Sequence, residues 1–130
     1  MQNRVKIIWL DDERDPFGFV WNSRIQQVVH ESITYENYPQ EIRNKWNLCW
    51  VKNYDEFVKE LESWKNDEWL IICFDHDLGK EKTGYDCAKF LVQYLDENHY
   101  PIPYYHIQSS NVAGLQNIES YIESYRKSLQ

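Results

Sequence analysis

Acidic side chains follow two apolar runs of the chain, at the points where these runs end. Asp11 and Asp12 come directly after the run 5–10, and Asp75 comes directly after the run 70–74. Short apolar runs rich in β-branched residues are typical of buried parallel strands, whose carboxyl ends form the ligand-binding edge of an open α/β sheet. Clustered carboxylates repel one another unless a cation lies among them, and hard oxygen ligands suit Mg²⁺. We therefore predict that Asp11, Asp12 and Asp75 hold Mg²⁺ or another divalent cation such as Mn²⁺. The simpler interpretation is a solvated acidic turn.

The second acidic cluster contains two further residues that could do chemistry. Asp77 lies two positions beyond Asp75 and would point to the same side if extended geometry persists, where it could be a further ligand or orient a water molecule. His76 alternates with these carboxylates, and two interpretations stay open for it. It could act directly in acid–base chemistry, or it could be a partly buried, hydrogen-bonded imidazole. We predict catalytic roles for Asp75, His76 and Asp77.

A polar turn follows the last strand-like run, 104–108, and precedes the last helical segment. Ser109 and Asn111 offer a hydroxyl and an amide to phosphate oxygens at a helix start that favours anions, and Gly114 would let a ligand or backbone come close. Arg14 has the planar guanidinium that matches phosphate. We predict these four residues as phosphate-binding. For Asn111, the alternative is that it merely caps the helix.

Strands and helices alternate along the chain. Strands are predicted at 5–10, 48–51, 69–74 and 104–108, and helices at 54–65, 84–97 and 113–127. Thr83 and Asp86 have the spacing of a capping box at the start of the second of these helices. The alternation predicts an α/β fold with a mainly parallel sheet of about four strands in the order 2-1-3-4. Right-handed crossovers then place the three polar turns on one edge of the sheet.

The segment 15–47 has no clear periodicity. Ser23 could cap a helix that runs to about Ser32, but the segment 28–35 also suits an extended conformation, and 41–46 is predicted as a short helical turn. We therefore predict a single domain over residues 1–130 with an irregular insert at about 15–47. The insert is also the predicted surface for a protein partner.

The composition is that of one folded domain, with 42% hydrophobic residues in a chain of 130. No apolar run approaches the roughly 18 residues that cross a membrane, and no signal peptide is visible, which predicts a cytoplasmic protein. The net charge of −7 argues against broad nucleic-acid binding, because such binding needs a basic surface. Cys49, Cys73 and Cys87 lack the C-x-x-C spacing, so we expect reduced packing residues.

Four sequence blocks together resemble the cyclic-phosphate processing receiver domain, a variant of the bacterial response-regulator receiver. The blocks are 10–14, 74–79, 83–86 and 109–114. The resemblance implies a receiver-like (flavodoxin-like) three-layer α/β sandwich with Mg²⁺ at the positions of Asp11, Asp12 and Asp75. It also matches Asp75 to the aspartate that receivers phosphorylate and Ser109 to their switch hydroxyl. Members of the family are thought to act on or sense cyclic phosphates or nucleotides.

The chain departs from this family pattern in three places. Gln108 stands where the family often has His, and Gln cannot shuttle a proton at neutral pH, so an acid role there is lost or moves to His76 or His106. The segment 15–47 looks longer than usual. The fifth βα unit, whose strand ends in the Lys that contacts the acyl phosphate of receivers, is expected to be missing.

Two functions of different classes fit these residues. The leading hypothesis is a metal-dependent domain that binds a cyclic phosphate, a cyclic nucleotide or a related phosphoester. If the domain also hydrolyses this ligand, it is a Mg²⁺-dependent phosphoesterase. The alternative is a non-catalytic receiver-like signalling or partner-binding module with Asp75 as phosphoacceptor. The first hypothesis predicts a small phosphate-containing ligand, and neither predicts a membrane partner.

Overall fold

Strands and helices alternate along the part of the chain that the computed structural model describes, residues 4–36 and 46–130. The elements are β1 (Val5–Leu10), α1 (Phe19–Glu36), β2 (Trp46–Val51), α2 (Tyr54–Ser63), β3 (Trp69–Phe74), α3 (Gly84–Asn98), β4 (Tyr104–Ile107) and α4 (Val112–Ser128). The predicted bounds of β1 and β3 are confirmed. None of the helices in these ranges combines the length and the apolar character needed to cross a bilayer.

The four strands form one parallel sheet in the order β2-β1-β3-β4. β1 lies in the middle and pairs with both neighbours, so that Val5 is opposite Trp46 on one side and Trp69 on the other. β4 pairs with the far side of β3, where Ile71 is opposite Tyr104. The predicted α/β class and strand order are therefore confirmed.

Helices cover both faces of the sheet, which makes three layers. Side chains of β1 alternate between the faces: Ile7 and Trp9 pack with α1, whereas Ile8 and Leu10 pack with α2, α3 and α4. All six residues of β1 are buried, as expected for the central strand of a sheet with two covered faces. Burial of side chains this large contributes about 1.5–3 kcal/mol each, so β1 firmly anchors the polar turn that follows it.

Helix α1 differs from its sequence prediction. The Gly18 carbonyl accepts the N–H of Asn22 at 2.9 Å, and the helix begins at Phe19, before the predicted cap Ser23. The Ser23 hydroxyl instead donates to the Phe19 carbonyl at 3.1 Å. The helical interpretation is thus correct with an earlier start and a later end, and a regular helix occupies much of the segment predicted to be irregular.

The other helices end within two residues of their predicted bounds, and two strand boundaries shift. β2 begins at Trp46 rather than Leu48. The helical turn predicted over 41–46 falls on residues 41–45, outside the described residues, and on Trp46, which is part of the strand. β4 ends at Ile107, one residue earlier than predicted.

The capping box at the start of α3 is confirmed. The N–H of Thr83 donates to Asp86 Oδ2 at 2.8 Å, and the N–H of Tyr85 donates to Thr83 Oγ1 at 3.2 Å. These bonds satisfy donors that the first helical turn would otherwise leave unpaired. They fix the end of the loop that leads from β3 to α3.

Candidate functional site

Three carboxylates converge at the carboxyl ends of β1 and β3. One oxygen atom each from Asp11, Asp12 and Asp75 lies within 4.8 Å of the other two. Asp11 is fully buried and Asp75 is 5% exposed, whereas Asp12 is half-buried. The strands are parallel neighbours, so their ends meet at one edge, and the predicted convergence is observed. The role of these residues as metal ligands stays a prediction.

The carboxylate of Asp11 is held by the turn that follows β1. Its Oδ1 accepts the N–H groups of Glu13 at 3.0 Å and Arg14 at 2.9 Å. The backbone carbonyl of Asp11 accepts the indole N–H of Trp50 at 2.7 Å, which ties the turn to β2. Because the chain bends directly after Asp11, Asp12 can reach the same place as its neighbour instead of pointing to the opposite face.

Arg14 belongs to the carboxylate cluster, a position that the sequence prediction did not foresee. Its Nη1 lies 3.0 Å from Asp11 Oδ2 and 3.6 Å from Asp75 Oδ1. The guanidinium also lies 5.3 Å from the ring centroid of Trp21. Burial alone would lower the pKa of Arg14, but the hydrogen bond and charge of Asp11, with the charge of Asp75, raise it. In this arrangement Arg14 neutralises carboxylates, whereas the sequence predicted a phosphate ligand.

The charges at this edge are not balanced. Burial, together with the charge of Asp11, raises the pKa of Asp75 to about 6, and Arg14 only partly opposes this rise. Three carboxylates and one guanidinium leave a formal charge of −2. One divalent cation would neutralise that charge.

His76, Asp77 and Asn111 form a second polar group beside the carboxylates. His76 Nδ1 lies 2.8 Å from Asp77 Oδ1, and Asn111 Nδ2 donates to the two Asp77 oxygens at 3.3 and 3.4 Å. Hydrogen bonds from His76 and then Asn111 lower the pKa of Asp77. The backbone bends at His76, so extended geometry does not persist and the carboxylate cluster described above does not include Asp77. Of the two roles considered for Asp77, the ligand role is not favoured by this geometry, because Asp77 pairs with His76, and its predicted catalytic role stays a prediction.

The turn before α4 is built by its own side chains. Asn111 Oδ1 accepts the N–H of Gly114 at 2.9 Å, so Asn111 is the cap of α4, as the alternative interpretation predicted. Ser109 Oγ accepts the N–H of Asn111 at 3.1 Å. A Cβ at Gly114 would overlap the imidazole ring of His76. Gly114 therefore makes room for the side chain of His76, whereas the sequence predicted room for a ligand or for backbone.

Two glycines that the sequence prediction did not assign to the site shape the loop 75–82. The N–H of Gly84 donates to the His76 carbonyl at 2.8 Å, and a Cβ at Gly84 would overlap the carbonyl oxygen of Asp75. Gly79 has a φ of +64°, and a Cβ there would lie 3.1 Å from Asp12 Oδ2. The sequence signals near Gly84 were the capping box and the family resemblance of the block 83–86, and neither reports the close backbone approach that the structure places there.

Gln108 ties the ends of three strands together. Its backbone N–H donates to the Phe74 carbonyl at 2.8 Å, and its Nε2 donates to the Leu10 carbonyl at 3.1 Å. Its Oε1 is buried and has no hydrogen-bond partner among the described residues. His106, by contrast, lies within β4 opposite Cys73, on the face that α1 covers, and burial lowers its pKa. Of the two histidines considered for an acid role, His76 is therefore the one at this edge.

A separate groove of about 630 Å³ lies between α3 and α4, away from these carboxylates. Lys82, Lys89, Phe90 and Tyr121 are among the residues that line it. None of the three carboxylates is among the residues that line this groove, so the candidacy of the carboxylate edge depends on its chemistry.

Comparison with known families gives one match over nearly the whole chain. The model of the cyclic-phosphate processing receiver domain matches residues 6–124. These residues include all three carboxylates, the His76 group and the Ser109 turn. Searches of curated proteins and of solved structures returned no match.

Proposed function

Because the chain belongs to the family of cyclic-phosphate processing receiver domains, we propose that it binds a divalent cation and a cyclic phosphate ester at the carboxyl edge of its sheet. The observation that carries this proposal is the convergence of Asp11, Asp12 and Asp75 within 4.8 Å at that edge. A cyclic nucleotide or a related phosphoester belongs to the same ligand class.

The donor set fits a divalent cation. Carboxylate oxygens are the ligands that Mg²⁺ and Mn²⁺ prefer, and the formal charge of −2 at the edge matches one such ion. When bound, the ion would polarise the phosphoryl group and lower the pKa of a bound water.

The chain's own residues would supply the remaining contacts. Ser109 and the start of α4 offer a hydroxyl and a positive helix end to the phosphate oxygens. The amide of Asn111 is already committed to Gly114 and Asp77, so its part is to hold those groups in place.

Hydrolysis is the second part of the proposal, and the pairing of His76 with Asp77 favours it. The Asp77 carboxylate accepts a hydrogen bond, so the proton of neutral His76 belongs on Nδ1 and Nε2 is left as the base. We propose that His76 takes a proton from water as the water oxygen bonds to phosphorus, and that Asp77 orients and stabilises the imidazolium that forms. The ring P–O bond breaks, and the proton held by His76 passes to the leaving oxygen.

The alternative of a phosphoaccepting signalling module has less support. The family match is to the cyclic-phosphate branch of receiver domains. The sheet formed by residues 4–36 and 46–130 has four strands, so the cation that contacts Asp75 there is Arg14 and not a lysine of a fifth strand.

The test is a binding and turnover assay with cyclic mono- and dinucleotides. Wild type is expected to bind at least one of them in Mg²⁺ and not in EDTA, and Asp75→Asn is expected to lose that binding. Asp96→Asn changes an exposed aspartate of α3 in the same way and should bind like wild type. His76→Gln should retain binding and lose turnover. Failure of wild type to bind any compound, or equal binding in EDTA, would sink the proposal.

A further inference from the structure

The two oxygen atoms of Asp11 are not equally available to a cation. Oδ1 already accepts two backbone N–H groups, from Glu13 and Arg14. Oδ2 has one partner among the described residues, the Arg14 guanidinium at 3.0 Å. A divalent cation that binds Asp11 must therefore use Oδ2, the oxygen that Arg14 holds.

Arg14 also occupies the space between two of the carboxylates. The Nη1 atom that lies 3.0 Å from Asp11 Oδ2 lies 3.6 Å from Asp75 Oδ1. A cation that joined Asp11 to Asp75 would need the same position. Two cations repel each other at such short range, so the ion and the guanidinium cannot share it.

The Arg14 side chain can rotate away from the carboxylates while its backbone stays in place. Its backbone is held, because its carbonyl accepts the indole N–H of Trp9 at 2.9 Å. Its side chain is 26% exposed, and its guanidinium lies near the ring of Trp21 on α1. Rotation about side-chain bonds alone would move the charge outward along this ring, with no change in the turn after β1.

We infer that Arg14 and the divalent cation alternate at Asp11 and Asp75, and that the displaced Arg14 becomes the cation that contacts the phosphate of the ligand. This inference rests on the proposed function and adds an order to it. The metal binds first, and its binding creates the phosphate donor. Arg14 is thus the residue that couples the two halves of the site.

The experiment is calorimetric titration of Arg14→Gln and wild type, first with Mg²⁺ alone and then with 2′,3′-cyclic AMP at saturating Mg²⁺. Removal of the competing cation should tighten Mg²⁺ binding by about tenfold, as expected if Arg14 holds the site about nine-tenths of the time. Loss of the phosphate donor should weaken binding of the nucleotide by about tenfold. Arg126→Gln removes the same charge near the far end of α4, where Arg126 pairs with Glu123, and should match wild type in both titrations.

Arg14→Lys keeps the positive charge, so it still tests the inference if Arg14→Gln does not fold. Its ammonium is more strongly hydrated than a guanidinium and should hold the two carboxylates less tightly, so we expect a smaller gain in Mg²⁺ affinity than in Arg14→Gln, about threefold. A second readout is indole fluorescence. Mg²⁺ should change the emission of wild type, and Trp21→Phe should remove most of that change while it retains Mg²⁺ affinity.

The outcomes separate the two claims. Mg²⁺ binding that is equal or weaker in both Arg14 variants would overturn the inference and leave the proposed function standing. Absence of Mg²⁺ binding in wild type and in both variants would overturn the metal site and the inference with it. Tighter Mg²⁺ binding with unchanged nucleotide affinity would overturn the second role of Arg14.

Discussion

Asp75 is a buried carboxyl group that lies close to two other carboxylates, and both features raise the free energy of its ionised form. It is 5% exposed, and an oxygen of each of Asp11 and Asp12 lies within 4.8 Å of one of its own. Its one ion-pair partner in the described part of the chain is Arg14, at 3.6 Å. Burial and the neighbouring negative charges disfavour the ionised form of this carboxylate, and a bound cation would favour it.

The raised pKa of Asp75 predicts a pH dependence of stability in the absence of metal. Burial raises this pKa from 3.8 to about 6, so the folded protein holds more protons than the unfolded chain between these values. The free energy of unfolding should therefore fall as the pH rises from about 4 to about 6, by about 2–3 kcal/mol, and stay lower above that window. Asp75→Asn mimics the protonated form and should escape this loss.

Urea unfolding in EDTA at pH 4.0 and pH 7.5 measures the effect. Asp75→Asn should be more stable than wild type at pH 7.5 and similar to it at pH 4.0, with Asp96→Asn following wild type at both. Other groups also titrate, so the decisive quantity is the difference between variants. An equal pH dependence in wild type and Asp75→Asn would contradict the assignment.

The sequence predicts which carboxylates meet, but not what they touch. Asp11, Asp12 and Asp75 could be placed together because parallel strands end at a common edge. The position of Arg14 depends on a turn in which Asp11 Oδ1 binds two backbone N–H groups, and strand periodicity does not report such a turn. For the same reason the displacement of Asp77 toward His76 was not foreseen.

At the scale of elements, the site depends on how closely two helices approach the loop after β3. α3 meets this loop through Gly84, where a Cβ would overlap the Asp75 carbonyl oxygen, and α4 meets it through Gly114, where a Cβ would overlap the His76 ring. Both glycines lie in the first turn of their helix. The two contacts differ because a side chain can rotate away and a backbone cannot.

Gly84→Ala should therefore destabilise the fold more than Gly114→Ala. Alanine gains about 1 kcal/mol over glycine in a helix, but overlap with a fixed backbone typically costs about 1–3 kcal/mol or more, so the net effect at Gly84 is a loss. At Gly114 the ring of His76 can move, and we expect near-wild-type stability with a displaced imidazole. Urea unfolding of the two variants tests this, and a Gly84→Ala protein as stable as wild type would contradict the proposed close packing.

Elements differed in how well the sequence predicted them. β1 and β3 are short, almost wholly apolar and directly followed by acids, and their predicted bounds match the structure. Helix α1 is preceded by Gly18 instead of Ser, Thr, Asp or Asn, and its first turn contains no acidic residue. The usual sequence signals of a helix start were therefore missing. Its β-branched residues also suited a strand, and packing against the sheet decided in favour of the helix.

At the scale of the whole molecule, the two ends of the sheet differ in charge balance. At the amino end, buried Lys6 lies 2.7 Å from Glu60 Oε1 and donates to Ser63 Oγ at 2.9 Å, so cation and acid are matched. At the carboxyl end three carboxylates share one arginine. The net charge of −7 adds a long-range attraction for cations that salt will screen. The unmatched end is therefore where a divalent cation should bind.

The central claim is that this edge binds a divalent cation, and calorimetric titration of Mg²⁺ into the metal-free protein tests it most directly. We expect wild type and Asp96→Asn each to bind one Mg²⁺ per chain, with weaker affinity at higher salt. We expect loss of that binding in Asp11→Asn and in Asp75→Asn, because each variant removes one charged ligand. The proposed cation site would be contradicted if wild type bound no Mg²⁺, or if Asp11→Asn and Asp75→Asn bound Mg²⁺ with the affinity of wild type.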